Sequence, residues 1–266
     1  MNSKRSKTLS RLGIFLLLTS VISFIVFYVI VMVSNKGYTY VDVSTMELVQ
    51  MEEIEEGAPI AVVNTTYGEF RAVLYPQYAP KTVENFITLA NAGYYDDTYV
   101  FEQKQDVYAA AGAPNADGSL ESAAATNELI PIEPHQNLWP FRGALCAMNT
   151  TVEGGFFDRL FHNTKTYSGS RFLILGSVDF SDEEFVTQFR EASGSEELAD
   201  TFIEHGGVPN FAQQMTVFAQ TYEGMEVVDA ICSAAVQEAA NAAGYTPPAE
   251  ECRIISVEIS EYTKEK

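Results

Sequence analysis

The junction from Gly68 to Phe86 constrains this chain more than any other stretch. Gly68-Glu69-Phe70-Arg71-Ala72-Val73-Leu74-Tyr75 alternates polar and apolar residues, as a half-buried strand does. Tyr78-Ala79-Pro80 stops it, because proline fixes φ and has no N–H to give a neighbouring strand. The same proline suits the first turn of a helix. Val83, Phe86, Ile87 and Ala90 then fall at i, i+3, i+4 and i+7, which predicts a helix over 81–92 with Lys81, Glu84 and Asn85 in water. Gly93 ends it.

The first 36 residues stand apart from this pattern. Lys4, Arg5, Lys7 and Arg11 precede an uncharged run from Leu12 to Val33, rich in Ile, Val, Leu and Phe. A bilayer core about 30 Å thick needs about 20 helical residues, so the run is long enough to span it. A cleaved leader has a shorter apolar region and a small-x-small site, and Val31-Met32-Val33-Ser34-Asn35 fits that poorly. The expectation is an uncleaved signal anchor. Residues 1–11 form a basic cytoplasmic tail, 12–34 the membrane helix, 35–57 an acidic stalk and 58–263 an extracytoplasmic domain. Beyond residue 36 there remain 11 Lys/Arg against 36 Asp/Glu, a charge of −25. So acidic a domain repels nucleic acid and anionic headgroups, which excludes both as partners.

Cys146, Cys232 and Cys252, with His135, His162 and His205, show none of the spacings of a zinc site. No metal or other cofactor is expected. Either Cys232 and Cys252 are bridged or all three thiols are buried and free. Asn115-Ala116-Asp117-Gly118 has the flavour of a calcium loop but lacks its distal glutamate, so it reads as a turn. The domain opens with Pro59–Thr65 and closes with the alternating Arg253–Glu261. Between them lie short strands near 98–101, 106–111, 143–149, 170–175 and 216–220, and a helix over 225–235. Ser181 with Glu184 reads as a capping box opening a helix over 182–192, and a second short helix follows over 196–205, a helical insert within 181–207. Many short strands with two main helices predict a mainly β fold, a closed antiparallel barrel capped by two helices.

Four segments resemble the cyclophilin-type peptidyl-prolyl isomerases in wording, order and spacing over residues 59–262. They are Tyr67–Tyr95 with Ala79-Pro80-Lys81-Thr82-Val83-Glu84-Asn85-Phe86 at its centre, and Phe101. The other two are Gly143–Asn149 with Gly169-Ser170-Arg171-Phe172, and Thr216-Val217-Phe218-Ala219 with Glu223-Gly224-Met225-Glu226-Val227-Val228-Asp229. The resemblance implies rotation about X–Pro bonds, which meets a barrier of about 18–20 kcal/mol but breaks no bond. Such a site needs an apolar pocket for the proline ring, a donor aimed at the prolyl nitrogen and groups holding the flanking backbone. In the family an arginine is the donor.

Here the chain departs from its relatives. Gln103 falls where that arginine belongs and keeps only an amide N–H. Tyr108 stands for a pocket Phe, Ala109 and Ala111 for a Met and a Gln, Leu173 for a Phe, and Phe211 and Met215 for a Leu and a His, while Asn149 is kept. The resemblance thus implies Gln103 and Arg171 as catalytic candidates, and Phe101, Tyr108, Ala111, Asn149, Leu173, Phe211 and Met215 as binding ones. Arg171, in place of a Gln, either reaches into the groove to replace the missing charge or pairs with an acid. A lengthened loop over 151–163, with Phe156, Phe157, Leu160 and Phe161, reads as a binding lip or a satellite cluster. Two functions are expected in consequence. One is a membrane-anchored isomerase acting on proline-containing segments of exported proteins. The alternative is a weak or inactive scaffold that grips such segments of an envelope partner. No oligomeric state is implied.

Overall fold

The computed structural model describes residues 41–120, 129–152 and 165–264. The segment expected to span the membrane and the expected loop bearing Phe156, Phe157, Leu160 and Phe161 lie outside them. Among the described residues nine strands run in chain order: β1 Pro59–Thr65, β2 Gly68–Leu74, β3 Thr98–Lys104, β4 Tyr108–Ala113, β5 Ile130–Pro131, β6 Ala144–Val152, β7 Lys165–Leu175, β8 Val217–Glu223 and β9 Arg253–Glu261. Their order in the sheet is β4-β3-β9-β1-β2-β8-β6-β7-β5, and pairing of β4 with β7 closes eight of them into a barrel with β5 outside the ring. Neighbours run antiparallel, as between β1 and β2, β1 and β9, and β4 and β7.

Alternation along each strand sorts side chains between the two faces. The inner face collects Ala61, Val63, Phe70, Ala72, Leu74, Leu145, Phe172, Ile174 and Phe218 into one buried cluster. Helix α1, Pro80–Asn91, presses Val83, Phe86 and Leu89 onto that cluster, and α4, Met225–Ser233, adds Val228 and Ile231. Ala79 offers α1 no side-chain cap. The Glu133 carboxylate does so instead, accepting from the backbone N–H groups of Lys81 (3.3 Å) and Thr82 (2.9 Å). A carboxylate suits the positive end of a helix, but from so far along the chain it leaves no local sequence signal.

The helical insert forms as expected, α2 over Glu183–Ser193 and α3 over Glu196–His205, with one correction. The cap of α2 is Asp182, whose side chain accepts from the Glu184 and Phe185 N–H groups, rather than Ser181. Leu198 and Phe202 of α3 join Trp139 and Phe141 in a separate small core. All three cysteines are buried free thiols, which resolves the choice left open by the sequence.

The described part of the acidic stalk, from Val41 on, is not a free spacer. Its apolar residues Val41, Val43, Met46 and Leu48 pack on the Trp139–Phe202 core, so acidic composition here masks a docked strap. Gln50, 9% exposed, fastens it: its amide donates to Trp139 O (2.8 Å) and Gln220 Oε1 (2.9 Å), and its Oε1 accepts from Trp139 N–H (2.6 Å). Substituting Gln50→Ala strands three buried polar groups, and each unsatisfied group costs about 1–3 kcal/mol. The expected result is a fall in stability of about 2–3 kcal/mol, seen as a lower urea midpoint with unchanged m-value.

Candidate functional site

Barrel closure builds the site. Across β4 and β7 the register pairs Tyr108 with Leu175, Ala109 with Ile174, Ala110 with Leu173 and Ala111 with Phe172. Directly opposed residues share a face, so Tyr108, Ala110, Leu173 and Leu175 point outward. On that outer face Tyr108, Leu173, Phe211 and Met215 belong to one apolar cluster, with Met148 at its edge. Leu173 is 3% exposed and forms a floor. Tyr108, Phe211 and Met215 are half-buried walls, the rings of Tyr108 and Phe211 tilted at 5.8 Å between centroids. Phe211 is carried by a tight turn, Pro209–Phe211, and Met215 follows it shortly before β8. Asn149 ties that turn to β6, its Nδ2 donating to Gln214 O at 2.7 Å. Four of the expected binding residues are therefore brought together, and Asn149 stands beside them.

Gln103 and Ala111 are not among them. The β3–β4 pairing slips between Tyr99 and Val100 and again between Val100 and Glu102, and beyond this bulge Gln103 opposes Ala109 on the inner face. Gln103 is 4% exposed, and its amide nitrogen donates to the carbonyls of Cys232 (2.9 Å) and Ala234 (2.6 Å) at the end of α4. Its amide nitrogen is spent on closing the barrel end, while Oε1 is buried with no partner among the described residues. Ala111, opposite Phe172, is fully buried on the same inner face.

Phe101 is outward but sealed, with no exposed surface. The Tyr245 ring meets it edge-on at 5.0 Å, and the Arg171 guanidinium lies 5.5 Å from its centroid. Gly118 closes the remaining side with φ of +81°, where a Cβ would come within 2.5 Å of the Phe101 ring and only glycine fits. Arg171 lies on the outer face and donates through Nη1 to Gly118 O (3.0 Å) and Tyr245 Oη (3.2 Å). No carboxylate pairs with it among the described residues.

Beyond the bulge β3 presents two residues outward, Glu102 opposite Ala110 and the exposed Lys104 opposite Tyr108, and sequence reasoning missed both. Tyr108 Oη donates to Glu102 Oε1 at 3.1 Å. Burial first, then the nearby Glu102 charge and this hydrogen bond, push the Tyr108 phenol up to about 12 from 10.0. The outer face thus carries the Tyr108 O–H and the Glu102 side chain, hydrogen-bonded to each other, beside its apolar floor. Met148, Tyr245 and Gly118 also went unread. Met148 arrives on β6, Gly118 with the turn after β4 and Tyr245 with the 235–250 loop, and their convergence leaves no local pattern.

Comparison with known proteins converges on one family. The family model "Cyclophilin type peptidyl-prolyl cis-trans isomerase/CLD" matches residues 60–259. A protein of Staphylococcus aureus strain USA300 named "Putative peptidyl-prolyl cis-trans isomerase" is 29% identical over 189 residues, 70% of this chain and 86% of its own length. One of the same name from Staphylococcus epidermidis is 30% identical over the same shares. Among solved structures, a cyclophilin type peptidyl-prolyl cis-trans isomerase of Cryptosporidium parvum, crystallised in the presence of the dipeptide Ala-Pro, superposes with a TM-score of 0.52. It covers 76% of this chain and 98% of its own at 16% identity, a likeness of fold.

Two results are expected from this geometry. Gln103→Arg buries a guanidinium at the barrel end rather than placing it in the groove. It should therefore lower the thermal midpoint and leave turnover no higher, since a buried unpaired charge costs several kcal/mol. For Tyr108 the folded-state value lies above the unfolded one, so its contribution to stability is whole below pH 10 and is lost as pH rises toward about 12. In a spectrophotometric titration, Tyr108→Phe should remove one phenol from those that ionise in that late window.

Proposed function

We propose, on the premise that the chain belongs to the cyclophilin-type peptidyl-prolyl cis-trans isomerase family, that it is a membrane-anchored member acting outside the cytoplasm on proline-containing segments of exported proteins. The enzyme class follows from the family. The observation that carries the site is the outward grouping of Leu173, Tyr108, Phe211 and Met215, which offers a proline ring a dry floor with half-open walls. The basic tail and the uncharged run Leu12–Val33 support the anchor, and the charge of −25 beyond it suits an exported surface.

In this reading the pocket holds the ring while the rest of the peptide turns about the X–Pro bond. As resonance is lost the prolyl nitrogen becomes a better acceptor, and each 1.36 kcal/mol of stabilisation there is worth about tenfold in rate. Arg171 is the proposed donor. Nη1 is tethered to Gly118 O and Tyr245 Oη, and the rest of the guanidinium has no hydrogen bond among the described residues. Stacking on Phe101 fixes its plane at little entropic cost. Asn149 and the edge of β6 beside Met148 hold the flanking backbone.

A second reading is favoured by Glu102. The β3 side chain hydrogen-bonded to Tyr108 is a carboxylate, which accepts but cannot donate to a prolyl nitrogen. A scaffold that binds proline segments and turns them over slowly fits that side chain.

An isomerase assay on a proline tetrapeptide decides between them, using the chain from residue 41 so that the strap is kept. The anchored-enzyme reading expects turnover, with kcat/KM reduced at least about tenfold by Phe211→Ala and by Arg171→Ala. Unchanged turnover in Arg171→Ala would remove the arginine's role. Peptide binding without turnover would establish the scaffold. Protease added to intact cells should digest the acidic domain; its full protection would overturn the orientation.

A further inference from the structure

A second concave site lies away from the groove, beneath the strap. The segment from Val49 to Pro59 is pinned at two points and arches between them. At one end Gln50 is fastened to Trp139 and Gln220. At the other, Gly57 N–H donates to Tyr262 O (2.9 Å) and Tyr262 N–H to Ala58 O (2.8 Å). Under the arch is a cavity of about 690 Å³, whose floor is the outer face of β2 and β8. That volume lies within the roughly 300–1,000 Å³ of ordinary ligand sites.

Its walls are aromatic and apolar. Tyr75, Tyr78 and Tyr222 line it, with Ile54 from the arch and Met225 from α4. The Tyr75 and Tyr78 rings are tilted toward each other at 6.4 Å between centroids. Its charge is one-sided. Glu52, Glu53, Glu55 and Glu56 line it from the arch and Glu204 from α3, against Arg142 and His205. Arg142 is already paired with Asp229 outside the cavity, and Glu53 with Lys264 Nζ at 3.0 Å. Glu52, Glu55, Glu56 and Glu204 have no ion-pair partner among the described residues. Burial first, and then the nearby Glu52 charge, push the Tyr75 phenol up.

We propose that this cavity binds a basic polypeptide segment, a lysine or arginine next to an apolar residue, independently of the proline groove. A long cationic side chain satisfies both halves of the lining: its stem lies on the tyrosine faces and its head meets the carboxylates. An acidic or purely apolar segment satisfies one half at most. Because the arch is fixed at both ends, the site is formed before the segment arrives. It gives the protein a second grip on a chain whose proline is held elsewhere, or on a partner.

The test titrates the full-length chain, in a non-ionic detergent, with a dansyl-labelled Lys-Leu-Arg-Leu peptide carrying a photoreactive group. Saturable binding is expected, with the photolabel on residues 49–59 or on Tyr222. Glu52→Gln/Glu55→Gln should weaken binding about tenfold and flatten its salt dependence, with isomerase turnover unchanged. Equal binding of Asp-Leu-Glu-Leu would overturn the proposal, as would unchanged affinity in the double variant or a photolabel on Tyr108 or Phe211. Competition by free arginine at the peptide's own concentration would mark a site for small cations and overturn the polypeptide occupant. Because the readout is binding of a proline-free peptide, loss of turnover on proline substrates leaves it untouched.

Discussion

Everything in this domain depends on the pairing of β4 with β7. An open sheet of these strands would leave two edges and no inside; closure makes an inner face for the helices to plug and an outer face for the site. The pairing tolerates almost no side-chain bulk. In Tyr108-Ala109-Ala110-Ala111-Gly112-Ala113 every residue after the tyrosine is buried. Gly112, at φ of +85°, sits where a Cβ would lie 3.1 Å from both Ser170 O and the Tyr95 ring. The alanines that resemblance reads as lost groove chemistry are therefore required by packing. On the inner face they make room for Phe172, Tyr95 and Phe86, whose rings lie 5.1–5.7 Å apart.

Because side chains alternate, closure leaves one choice, the register, and a single slip moves a whole strand's chemistry through the sheet. This explains what was legible in the sequence. Pro59–Thr65, Arg253–Glu261 and the helix over 196–205 match the observed elements end to end, since local periodicity and breakers fix them. The grouping of Tyr108, Leu173, Phe211 and Met215 in one outer-face cluster was also readable, because each keeps an apolar type at its place in the family's order. Gln103, Ala111 and Phe101 were not readable as inward or sealed. A bulge in β3 and a loop arriving from residues 235–250 decide their environment, and both are long-range facts. The strap misled for a different reason: Asp42 and Glu47 are exposed while Val41, Val43, Met46 and Leu48 between and beside them turn inward, so average composition hid the pattern.

The same bulge bears on the missing arginine. A position on β3 whose side chain ends at the carbonyls of Cys232 and Ala234 takes a neutral N–H donor, although Gln103 Oε1 is buried there with no partner among the described residues. Those acceptors would also take guanidinium N–H groups, but they carry no full charge to offset its desolvation, and Gln103 is 4% exposed. Register and residue type are thus coupled: with this bulge, a cation at 103 is a liability, and the outward place it gives up goes to Glu102. On β3 itself the one cation is Lys104, exposed opposite Tyr108 at the end of the strand; another outer-face cation comes from β7. Of the flanking outer-face positions, Arg171 on β7 already has what a donor needs, a fixed plane over Phe101 and a tether to Gly118 O that uses one nitrogen of three. The proposed donor is in this sense the consequence of a strand slip, a charge moved from one side of the closing pair to the other so that the barrel end stays neutral.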